Sequence, residues 1–178
     1  HLSIRRQRQM CIRDSSGDGP AEHLNNILTG DVSKLADGGR VDALVCDSNG
    51  RVGDVLSCFG IGDEIIVLGI YENMVDTRSL LTAGIPWNKD LVLYDGNDAL
   101  RHFMIHGEEA LELIKLLYPE IGDFQDNKFV SIGDVIISKN SISHGRHIDI
   151  LYRADDDSFM DRILRNSVDV GTYEEWEV

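Results

Sequence analysis

His102 and His106 stand four residues apart, and His144 and His147 three apart, with Asp149 next to the second pair and the run Asp155-Asp156-Asp157 shortly after. Imidazoles and carboxylates move protons near neutral pH and bind divalent ions. On a helix, His102 and His106 would share one face and could hold one ion. Between them Phe103-Met104-Ile105 supplies no glutamate to serve as a base, and Gly107 follows at once. The aspartate run offers the hard oxygens that Mg²⁺ takes. It also precedes a helical stretch, where acids complement the positive end of the helix dipole, and that capping role is preferred. No metal is therefore expected, with Asp149, Asp155 and Asp156 as the candidates should one bind. His144, His147 and Asp149 are the candidates for acid–base work, a histidine there being able to deprotonate an acceptor hydroxyl. A nucleophile is not expected: there is no G-x-S-x-G, and neither Cys46 nor Cys58 has a neighbouring cation to lower its pKa.

The stretch from Val41 to Glu72 carries a different kind of signal. An apolar run, Val41–Cys46, meets Asp47-Ser48-Asn49-Gly50; a second run, Ile65–Ile70, ends near Glu72. Asn-Gly between short apolar runs is a hairpin signal. The spacing of Val52, Val55, Leu56 and Phe59 nevertheless favours a helix after the turn, which would make the turn a ligand loop. Together VDALVCDSNGRVGDVL, DEIIVLGIYENMVDTRSLL and DLVLYDGNDALRHF resemble the first three strand–loop steps of class I S-adenosylmethionine-dependent methyltransferases. The resemblance covers about Val41–Phe103. It implies a Rossmann-like fold with S-adenosylmethionine as cofactor, Asp47, Asn49, Gly50 and Gly53 as the cofactor loop, Glu72 on the ribose, and Asp98 with Ala99 at the adenine edge. His147-Ile148-Asp149 faintly resembles a strand-four step of small-molecule O-methyltransferases in the same group. The loop departs from the family in lacking three alternating glycines.

Strands are expected at 41–46, 63–70, 91–94, 129–138 and 147–152, and helices at 21–35, 51–59, 72–81, 99–117 and 156–164. Their alternation argues an α/β three-layer domain, Rossmann-like, with a mostly parallel sheet and an antiparallel edge. The echo between GIGDEII and SIGDVII is too short to be a repeat. Residues 1–15, HLSIRRQRQMCIRDS, are basic and unlike the rest; they resemble the translated sequencing-adapter read-through of metagenomic assemblies. The expected organisation is a non-native or disordered segment and linker at 1–20, one α/β domain at 21–164 and an acidic tail at 165–178.

A net charge of −14 over 178 residues disfavours phosphate backbones and anionic lipid as partners. Three cysteines without a CxxC fit a reducing, cytoplasmic setting. The functional expectation is an S-adenosylmethionine-dependent methyltransferase acting on a small-molecule ligand. The alternatives are a non-catalytic acidic interaction module, of viral or mobile-element type, and a metal-dependent hydrolase.

Overall fold

The computed structural model describes residues 3–6, 8–14, 19–35, 38–69, 74–85, 87, 89, 91–96, 98–107, 109–122, 124–125, 128–140 and 147–166. The chain forms two compact units, one of residues 7–98, the other of 1–6 and 99–178.

The first unit contains β2 (Arg8–Asp14), α1 (Pro20–Ile27), a 3-10 turn (Val32–Lys34), β3 (Arg40–Cys46), β4 (Val52–Ile61), β5 (Glu64–Gly69), α2 (Met74–Thr82) and β6 (Leu91–Asp95). Its sheet runs β3-β4-β5-β2-β6, antiparallel at every pairing. Ala43, Val45, Leu56, Cys58, Ile65 and Val67 alternate onto one face and bury Leu24, Leu28 and Val32 from the α1 region and Leu81 from α2.

The second unit contains β1 (Ser3–Arg6), β7 (Leu100–His106), α3 (Ala110–Leu117), β8 (Phe129–Ile132), β9 (Val135–Asn140), β10 (His147–Arg153) and α4 (Asp157–Asn166). Its sheet runs β1-β7-β10-β9-β8, again wholly antiparallel. Phe103, Ile105, Ile137, Ile148, Ile150 and Tyr152 face Leu113 and Ile114 of α3 and Phe159 and Ile163 of α4.

The expected parallel, three-layer Rossmann-like sheet is therefore not what the chain forms. The reason lies in the turns. Asp47 closes a hairpin from β3 to β4: its carboxylate accepts the backbone N–H groups of Asn49 (2.8 Å) and Arg51 (2.9 Å), and Gly50 takes φ 76°. Ile61-Gly62-Asp63-Glu64 and Ile132-Gly133-Asp134-Val135 are two-residue hairpins, opened by Gly62 at φ 56° and Gly133 at φ 57°. The echo between GIGDEII and SIGDVII is thus one turn used twice. Segments 51–59 and 99–106, expected to be helical, are strands β4 and β7. Residues 3–6 and 8–14, placed outside the fold by their composition, pair as β1 on β7 and as β2 between β5 and β6. No described helix is long and apolar enough to cross a membrane.

Candidate functional site

The residues expected to form a cofactor loop have other work. Asp47, Asn49 and Gly50 make the β3–β4 turn, and Gly53 lies within β4, where a Cβ would come within 3.0 Å of Leu80. Asp98 and Ala99 are exposed in the turn before β7, and the Ala99 carbonyl accepts the Ala154 N–H at 2.9 Å. Glu72 and His144 lie outside the described residues. Asp155 is an exposed ion-pair partner: both its oxygens accept from Arg153, at 3.0 and 2.9 Å. That hydrogen-bonded guanidinium holds the Asp155 carboxyl below its ordinary range. The Asp156 N–H donates to the Arg153 carbonyl at 3.1 Å. Among the described residues, no three His, Cys, Asp or Glu side chains come together to hold an ion.

Among the described residues two constellations stand out, one in each unit. In the first unit, Asp54 of β4 is 2% exposed and points to the core face, toward α2. One carboxylate oxygen accepts the Thr77 hydroxyl at 2.7 Å, and the other the Val55 N–H at 2.8 Å. Thr77 sits in the first turn of α2 and is fully buried. At the end of β5 a Cβ on Gly69 would meet Asp54 Oδ2 at 2.7 Å, so the carboxylate lies over a glycine. A buried carboxylate is costly unless hydrogen-bonded, and these two neutral donors fix its direction. The reading of 51–59 as a helix concealed Asp54. The signal that could have found it is the strand alternation Asp54, Leu56, Cys58, in which an acid takes an apolar place.

In the second unit, His102, Met104 and His106 of β7 share a face with His147, Asp149 and Leu151 of β10, opposite the aromatic core. Asp149 and His102, diagonal across the strands and both buried, approach to 2.9 Å between Oδ1 and Nε2. His106 and His147 are directly opposed, with ring centroids 5.1 Å apart. Helical spacing singles out His102 and His106 in the sequence, and a ligand-rich patch on an expected strand singles out His147 and Asp149; in the structure strand register places all four on one sheet face. Of the expected catalytic candidates, His147 and Asp149 lie on this face, two residues apart on β10.

Cys58 of β4 is not poised to react. Cys58 is buried, and burial, reinforced by the nearby Asp42 charge, pushes its thiol from 9.0 up to about 12. Because the folded pKa exceeds the unfolded one, the stabilisation from keeping this thiol neutral is complete below pH 9. It is lost as pH rises toward 12, amounting to roughly 4 kcal/mol for about three pKa units. Urea titrations at pH 8 and pH 11 are expected to show about two-thirds of that fall, and Cys58→Ser to reduce it. Iodoacetamide at pH 8 is expected to spare the Cys58 peptide until the chain is unfolded.

No protein-family model matches the sequence. No curated protein matches it either. Solved structures do share the fold. The glycine cleavage system aminomethyltransferase T from Bartonella henselae superposes with a TM-score of 0.69 at 11% identity, over 92% of this chain and 45% of that one. Heterotetrameric sarcosine oxidase from Corynebacterium sp. U-96, in complex with pyrrole 2-carboxylate, gives 0.52 at 15% identity, over 92% of this chain and 80% of that one. The chain thus spans less than half the length of the aminomethyltransferase. These neighbours and the antiparallel sheets overturn the resemblance to class I methyltransferases, and with it S-adenosylmethionine as cofactor and the S-adenosylmethionine-dependent activity. The acidic interaction module and the metal-dependent hydrolase find no support in them either.

Proposed function

We propose that this chain binds a small molecule carrying a carbon on an amine nitrogen, and that Asp54 receives that nitrogen. Support comes from the shared fold: an aminomethyltransferase and an oxidase of sarcosine, which is N-methylglycine, both work on such a carbon. Amine nitrogens are cationic or become so during these reactions, and a carboxylate is the side chain that holds them. Asp54 is already aimed by Thr77 and the Val55 amide, so little ordering is left for the ligand to impose. The net charge of −14 disfavours a nucleic-acid partner, and the cysteine usage favours a cytoplasmic setting.

The test is isothermal titration with sarcosine and with tetrahydrofolate, a reduced pterin that carries one-carbon units on nitrogen. Asp54→Asn keeps the shape and removes the charge. The variant is expected to bind about 10–100-fold more weakly, the equivalent of a charged hydrogen bond worth roughly 1.5–3 kcal/mol. Equal binding by folded wild type and variant would remove Asp54 from the site.

A further inference from the structure

We propose that His106 and His147 form a two-histidine site for a borderline divalent cation, with Zn²⁺ as the reference ion. His106 ends β7 and His147 begins β10, and the antiparallel register sets them directly opposite each other. Directly opposed side chains on one sheet face are close neighbours by geometry, with Cβ atoms about 5 Å apart. Here the rings lie 5.1 Å apart at 45°, and the Nε2 atom of each is enclosed. At that separation each ring can turn one nitrogen toward a common point about 2.0–2.1 Å from both, the zinc–imidazole distance.

Three features favour a cation here. Imidazole suits Zn²⁺, Cu²⁺ and Ni²⁺, and carboxylate-only ions such as Ca²⁺ are disfavoured. Asp149 lies two residues from His147 on the same face and adds negative charge to it. The Asp149–His102 contact joins the same two strands further along and fixes the register that opposes the histidines. The protein supplies two ligands, so water or a small anion fills the other positions. Such a site binds more weakly than a three- or four-ligand one. The inference concerns binding alone and stands apart from the amine-ligand reading, since Asp54 belongs to the other unit.

The experiment titrates chelator-treated full-length chain with ZnCl₂ by calorimetry and with CoCl₂ by visible absorption. One equivalent is expected to bind, with Co²⁺ bands of a nitrogen-ligated ion and a rise in melting temperature. His106→Phe and His147→Phe retain a ring in each place and are each expected to weaken binding at least tenfold, while His23→Gln leaves it unchanged. No binding by folded wild type, or binding unaltered in both phenylalanine variants, overturns the site. A readout on unaltered protein covers variants that do not fold. Zn²⁺ is expected to shift the imidazole ¹H–¹⁵N correlations of His106 and His147 together, and correlations of both rings unchanged by Zn²⁺ also overturn it.

Discussion

Replacing His102 with alanine is expected to destabilise the chain by about 3–5 kcal/mol, because it strips a buried carboxylate of its imidazole partner. Asp149 and His102 are each 2% exposed, and their side chains meet at 2.9 Å across β7 and β10. Coulomb attraction and the hydrogen bond offset the cost of taking these groups out of water, and deleting one member leaves that cost in place. The double replacement His102→Leu with Asp149→Leu removes both polar groups. It is expected to recover most of the loss, since apolar replacements of similar volume are often neutral or stabilising. Urea unfolding of the wild type, both single variants and the double variant measures the coupling. If His102→Ala costs under 1 kcal/mol, the contact is not holding the sheet.

Phe159→Ala is expected to cost a similar amount, about 3–5 kcal/mol, for a different reason. The ring is 1% exposed, with centroids 5.0 Å from Tyr152, 5.7 Å from Phe103 and 6.1 Å from Tyr118. Arg162, one turn further along α4, lies over both Phe159 and Tyr118. Truncation opens a cavity at the centre of the aromatic cluster and removes contacts worth about 0.5–1.5 kcal/mol each beyond buried area. Phe159→Leu, which refills part of the space, is expected to lose less than half as much. Urea midpoints give the two energies, and the near-ultraviolet circular dichroism of Tyr118 and Tyr152 should flatten only in the alanine variant.

The elements that could be read from sequence are those with one decisive local feature. Pro119 stops α3 after an apolar-faced stretch, and His147–Arg153 carries strand-forming residues; the single strand expected at 129–138 is instead the hairpin of β8 and β9, turned at Gly133-Asp134. β4 and β7 were hidden for opposite reasons. In β4 an acid, Asp54, sits on the core face while Val52 and Val55 are exposed, so the apolar residues fall at helical spacing within a strand. In β7 His102, Phe103, Met104 and Ile105 are all buried, so both faces are covered and no alternation marks the strand. Sequence order could not distinguish crossovers from hairpins until those two segments were assigned, and the parallel sheet followed from misreading them as helices. Asp54 broke the pattern because a polar group stands where packing alone would place an apolar one, which is where local rules and function are expected to part. The site in the second unit was legible as a list of residues, His102, His106, His147 and Asp149, but not as an arrangement. Strand register sets that arrangement, and register is a long-range property.

The most direct measurement is amide chemical-shift mapping of the ¹⁵N-labelled chain during titration with sarcosine and with tetrahydrofolate. The amine-ligand reading expects saturable shifts concentrated at Asp54, Val55, Gly69 and Thr77, lost in Asp54→Asn. Shifts confined to other residues, or none from a chain whose spectrum is that of a folded protein, would contradict it.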